Sequence, residues 1–324
     1  MSEQIELVEK EIEHKPKSKK NLFIGIMLIV VAVGGLYGYF KYSEMYPDTE
    51  NAYVNANIIN ISPEISGYVT NVLVKDNEKV TKGQVLFEID PTDYQIQLDK
   101  SINDETFASS QYELSKVGYE KAKIQYTFDK NMADRYAELY KANATSKQVM
   151  EQYQITAEQS KLQLDLTQAQ QTSALSQYEN TKVAKANATN NYDRTKVRAP
   201  FDGYVSNMNL AVGQFVSTGQ PLFGLIDDSS WWVDVNLKET QLKRIKINQP
   251  ATVKLDMYDH TYKGVVENIS YASGNTFSLL PAQNATGNWV KVTQRFTIRV
   301  HIDDNAKYPL RVGSSATVEI DTEK

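Results

Sequence analysis

The chain reads as an elongated α+β protein of several modules. It predicts one N-terminal transmembrane helix, a small β-sandwich interrupted by a long antiparallel α-helical hairpin, and a C-terminal β-barrel. Three observations predict this. Residues 22–40 form an uncharged run, residues 92–199 lack proline, and short sequence blocks recur at an offset of 136 residues on either side of that stretch.

Composition narrows the function classes. The 324 residues are 41% hydrophobic and 23% charged, with a net charge of −5. A mildly acidic chain has no electrostatic footprint for nucleic acid. With no cysteine there is neither a disulfide framework nor thiolate chemistry. The three histidines, His14, His260 and His301, lack a second ligand at metal spacing. No phosphate-binding glycine loop, nucleophile elbow or paired-carboxylate motif occurs, so the sequence predicts no enzyme, cofactor or metal site.

Residues 1–20 read as a cytoplasmic tail and 21–41 as the membrane helix. Leu22–Phe40 is 19 residues without charge. At about 1.5 Å per residue it just crosses a hydrocarbon core of roughly 30 Å. Lys15, Lys17, Lys19 and Lys20 precede it, and Glu44, Asp48 and Glu50 follow. That lysine bias predicts a cytoplasmic N-terminus and an exported body. A cleaved signal is disfavoured, because the run is too long and Tyr42–Pro47 offers no small-residue cleavage site. Gly34 and Gly38 form a GxxxG pair able to bring two membrane helices close.

Residues 47–60 read as a linker and first barrel strand, with Asn51–Asn57 the strand candidate. The repeat follows. Gly67-Tyr-Val-Thr-Asn71 matches Gly203-Tyr-Val-Ser-Asn207, Val80-Thr-Lys-Gly-Gln84 matches Val216-Ser-Thr-Gly-Gln220, and Leu86-Phe87 matches Leu222-Phe223. No gap is needed. Each copy alternates apolar and polar residues between turn formers, which predicts strands. The halves, 61–91 and 197–228, can pair into one sandwich if the insertion between them leaves and returns at one point.

Residues 92–196 supply that insertion. Over 92–199 there is no proline and only Gly118, although proline costs a helix interior about 3 kcal/mol and glycine about 1. A turn is expected near 142–146, where Asn143 can end one helix and Thr145 or Ser146 can cap the next. Each arm is then about 75 Å long. Along the second arm, Leu162, Leu166, Ala169, Ser173, Ser176, Asn180, Val183 and Asn187 alternate by four and three, which predicts the seam against the first arm. Many of these are small or polar, so a lone hairpin buries little. Packing against copies of itself would bury more.

Residues 229–324 alternate in Trp232–Leu237, Gln294–His301 and Ala316–Ile320, a small barrel or sandwich. Each repeat half resembles half of a lipoyl (biotinyl-carrier) domain. A lipoyl domain split by a helical hairpin resembles the membrane fusion proteins, also called periplasmic adaptors. A true carrier presents its modified lysine on the turn between halves, and here the whole insertion replaces that turn. Trp232–Gln241, Phe277–Trp289 and Thr49–Val54 are similar to the EmrA-type branch of this HlyD/EmrA family. The resemblance covers nearly the whole chain.

It implies an inner-membrane adaptor in a bacterial multidrug efflux pump. The implied partners are an inner-membrane major facilitator (EmrB-like) drug/proton antiporter and a TolC-like outer-membrane channel, with self-association into a homo-oligomer. Arg135, Leu139 and Ser146 stand as R-x₃-L-x₆-S, similar to the tip signature by which drug-pump adaptors dock on such channels. Within the family the alternative is an adaptor for ATP-driven protein secretion. Outside it, the alternative is an envelope spacer without a pump.

Overall fold

The computed structural model describes residues 19–277, 291–303 and 307–323. The expected tail before residue 19 and most of the block Phe277–Trp289 lie outside these. The chain divides into two compact units: Ile58–Asp227, and Met1–Asn57 with Asp228–Lys324.

The first unit holds the sandwich and the hairpin. Its strands are β2 (Gly67–Val72), β3 (Lys79–Val80), β4 (Val85–Ile89), β5 (Lys196–Arg198), β6 (Gly203–Ser206), β7 (Phe215–Val216) and the start of β8 (Phe223–Lys238). One sheet has the order β5-β4-β2-β7; the other pairs β3 with β6 and β6 with β8. The two sequence repeats exchange strands reciprocally. Val80 of the first copy pairs with Gly203 of the second, and Val216 of the second pairs with Gly67 of the first. The same two-fold relation runs through the loops, where Asn77 N–H donates to the Val205 carbonyl and Gly213 N–H to the Val69 carbonyl. Repeat-equivalent residues fill one core: Val69 and Val205, Val80 and Val216, Ile89 and Leu225. Phe87 meets its counterpart Phe223 edge-to-face at 6.1 Å. The expected split sandwich is therefore present, made of interlocked halves. Glycine is required where β6 lies against β8 within the second half, since a Cβ on Gly203 would overlap the Ile226 carbonyl oxygen.

Between the halves run α2 (Thr92–Lys141) and α3 (Lys147–Asp193). At 50 and 47 residues they are about 75 and 70 Å long. Their seam corrects the sequence reading. Leu162, Leu166, Ala169, Ser173, Ser176, Asn180, Val183 and Asn187 are all exposed. The residues of α3 that turn inward are Tyr153, Ala157, Ser160, Leu164, Thr167, Gln171, Ala174, Tyr178, Thr181, Lys185, Ala188 and Tyr192. They alternate by four and three, like the expected stripe, but sit two positions, or about 200°, around the helix. The facing stripe of α2 is Ser101, Glu105, Ala108, Tyr112, Ser115, Tyr119, Ala122, Tyr126, Asp129, Ala133 and Tyr136. Specific pairs set this register. Tyr112 stacks on Tyr178 at 6.2 Å and Tyr136 on Tyr153 at 4.0 Å, and Lys185 bonds Glu105 at 2.7 Å. Small residues between the tyrosines let the backbones approach.

Among the described residues, the second unit is a closed barrel of six strands. β1 (Asp48–Ile61) is followed, after the later part of β8, by β9 (Pro250–Leu255), β10 (Thr261–Ser273), β11 (Arg295–Ile302) and β12 (Ser315–Ile320). The order is β1-β12-β9-β10-β11-β8, and β1 pairs back with β8, so no edge is left open. Alternate residues point inward, among them Val54, Val233, Val235, Val253, Ile298, Val300 and Val318.

α1 (Lys19–Met45) carries the apolar run 22–40. Its side chains 27–39 are exposed, and those of 19–26 and 40 lie outside the described residues. Among the described residues no helix is long and apolar enough to cross a membrane. A Cβ on Gly34 or Gly38 would meet nothing within 4 Å, so this face of α1 is open. The end of α1 is tied to the barrel, because Thr322 donates both its N–H and its hydroxyl to the Met45 carbonyl.

Candidate functional site

The hairpin tip gathers the three residues singled out by sequence. α2 ends in a Schellman turn. Asn143 sits in the left-handed region at φ 59°, its N–H donates to the Tyr140 carbonyl, and the Ala144 N–H reaches the Leu139 carbonyl at 2.8 Å. Asparagine tolerates this conformation better than most residues. α3 starts at once, with the Ser146 hydroxyl oxygen accepting from the Val149 N–H. Both helix ends at the turn are thus capped from within the chain.

Arg135 and Leu139 lie one turn apart on α2 and share a face. Arg135 is exposed and has no ion pair or hydrogen bond among the described residues. Its guanidinium fork is available for a bidentate acceptor. Leu139 is exposed on the last turn, beside Tyr140. Ser146 is exposed as well, and its oxygen is engaged as the cap, which leaves the hydroxyl proton to donate. Lys141 is held by Glu138, whose hydrogen bond at 2.8 Å raises the ammonium pKa. Sequence reasoning missed the Tyr136–Tyr153 stack that clamps the two helices just below the tip, although Tyr112, Tyr119, Tyr126 and Tyr136 at seam spacing were the available signal.

Away from the tip, the outer face of α2 carries a second stripe. Phe107, Leu114, Val117, Ile124 and Phe128 recur with coiled-coil spacing and are 61–70% exposed. Continued by one more step, the stripe reaches Arg135. On α3 the displaced stripe offers Leu162, Leu166 and Val183, 51–65% exposed. Among the described residues there is no cluster of three or more histidine or acidic side chains able to hold a metal.

The sandwich with its inserted hairpin matches the family model "RND MFP, barrel-sandwich hybrid domain" over residues 57–228. The barrel matches the "AAEA-like beta-barrel domain" over 230–321. The chain belongs to the membrane fusion protein family. Among its relatives, the multidrug export protein EmrA of Haemophilus influenzae is 31% identical over 337 residues, covering 96% of this chain and 86% of the relative. EmrA of Escherichia coli is 31% identical over 318 residues, covering 89% and 79%. Among solved structures, MacA from Actinobacillus actinomycetemcomitans superposes with a TM-score of 0.58 at 20% identity, covering 84% of this chain and 79% of the other. As a membrane fusion protein it belongs to a family of non-enzymatic adaptors.

Proposed function

We propose that this membrane fusion protein is a periplasmic adaptor of a multidrug efflux pump. It joins an inner-membrane drug/proton antiporter of the major facilitator type to a TolC-like outer-membrane channel. Residues 21–41 anchor it as a single inner-membrane span with the N-terminus in the cytoplasm, and Gly34 and Gly38 form a helix contact surface within the membrane. Arg135, Leu139 and Ser146 dock on the channel. Energy comes from the transporter, since the sequence has no nucleotide-binding loop.

The observation that carries this reading is the self-sufficient tip. A turn whose helix ends are capped from within the chain, yet which presents an unpaired Arg135 and an exposed Leu139, is suited to receive a partner. The outer stripes of α2 and α3 support a second element of the reading, self-association. Apolar rows at coiled-coil spacing on the outside of a hairpin are covered when hairpins of neighbouring copies lie side by side.

Site-specific photocrosslinking from positions 139 and 146 in intact cells tests the docking. A crosslink to an outer-membrane channel is the expected result. Capture of other copies of the chain alone, or of nothing, sinks the docking role of Arg135, Leu139 and Ser146.

A further inference from the structure

The barrel presents a cationic lip beside the end of α1. Strand β8 runs into a short 3-10 helix, Glu239–Arg244, and then into Ile245-Lys246-Ile247. Gln241 Nε2 donates to the Asp48 carbonyl, which fixes this helix to the start of β1, three residues beyond α1. Ser43, Glu44 and Pro47 on one side and Thr240, Gln241, Lys243 and Arg244 on the other line an open cleft of about 410 Å³.

The lip is built, not loose. Ile245 is buried and pins it into the barrel. Gln249, itself buried, donates from Nε2 to the Arg244 carbonyl at 3.3 Å and accepts from the Lys246 N–H at 2.8 Å. These contacts turn Lys243, Arg244, Lys246 and Ile247 outward. The three cations have no ion pair among the described residues, and Ile247 is 56% exposed. Nearby acids are Glu44 on α1, Asp48 on β1 and Glu239, and none of them pairs with the lip.

We propose that this lip rests on the anionic headgroups of the membrane in which α1 is anchored. Charge complementarity and position point to lipid. Three unpaired cations and one exposed aliphatic chain within five residues are the composition of an interfacial contact. They are held where α1 meets the barrel. Each cation near an anionic surface is worth roughly fivefold in association. The inference rests on the anchor reading of residues 21–41 and adds to it a second, electrostatic contact that sets how the barrel meets the bilayer.

The chain has no native cysteine, so single labels are clean. The full chain, as Ile247→Cys with an environment-sensitive fluorophore, is reconstituted in lipid nanodiscs containing headgroup-level nitroxide lipid. Strong quenching is expected when phosphatidylglycerol is present. It should fall several-fold in phosphatidylcholine alone, at high salt, or with K243E/R244E/K246E. A parallel label at Val31→Cys, read against a mid-bilayer nitroxide, reports the anchor. No quenching at 31 overturns the anchor and the lip proposal with it. Quenching at 31 but none at 247, or quenching at 247 indifferent to lipid charge, overturns the lip alone. Protection of 247 only when a transporter is co-reconstituted also overturns it, and assigns the lip to that protein.

Discussion

At the scale of single residues, two positions make sharp predictions. Gly203 faces the Ile226 carbonyl where β6 lies against β8. Gly203→Ala must push the backbone apart and is expected to cost about 1–3 kcal/mol, read as a lower urea midpoint with an unchanged slope. Its repeat counterpart Gly67 faces the γ2-methyl of the buried, β-branched Ile89 at 2.6 Å, so Gly67→Ala should also destabilise the sandwich. Asp90 accepts from both the Thr92 hydroxyl and the Thr92 N–H as α2 begins, which lowers its pKa. A depressed carboxylate stabilises the folded state above its unfolded pKa of about 3.9 and loses that contribution as pH falls through the folded value. Amide exchange in the first turn of α2 should therefore be faster in Asp90→Asn than in the parent at neutral pH. The two should converge in acid. Residue-level chemistry was legible where it is local. Asn143 and Ser146 were readable as stop and start signals because a cap needs only its own helix end. The Tyr136–Tyr153 stack was not readable, because it depends on which residues face one another across the hairpin.

At the scale of elements, the long helices follow from the missing breakers, and the sandwich follows from a gapless repeat whose equivalent positions share one core. The seam of the hairpin was illegible for a physical reason. Apolarity normally marks the buried face of a helix. Here the inward stripes are mostly tyrosine, alanine, serine and threonine, with Glu105 and Lys185 paired across them, while Leu162 and Leu166 point outward. A count of apolar residues finds the face kept for something else. The expected consequence is an inversion of the usual rule. Leu162→Ser with Leu166→Ser should leave helicity and thermal stability of the chain within about 0.5 kcal/mol, as at other exposed sites. Tyr136→Ala should cost more and loosen the tip, seen as faster amide exchange at residues 140–150. Equal losses from both changes would argue against the observed register.

At the scale of the whole molecule, the outer stripes bear on assembly. If copies lie side by side, Leu114→Glu with Ile124→Glu on α2 should reduce the oligomer of detergent-extracted protein in light scattering, with folding intact by circular dichroism. An unchanged mass, or a monomeric parent at high concentration, would remove the stripes as an interface. Efflux should fail in such a variant even though the tip residues are untouched, which separates assembly from docking.

The reciprocal exchange of strands also governs how the chain acquires its shape. Val80 needs Gly203, and Gly67 needs Val216, so the first half of the sandwich has no complete sheet until more than a hundred further residues have been made. Closing a random loop of that length costs about 4 kcal/mol in chain entropy beyond a constant term. The hairpin removes most of that cost, because zipping two local helices from their turn delivers the second half to the first. Topology thereby predicts an order in time: the tip nucleates, the arms close downward, and the sandwich locks last. A chain stalled before its second arm is complete would expose half a core, and it is the kind of intermediate that chaperones exist to hold.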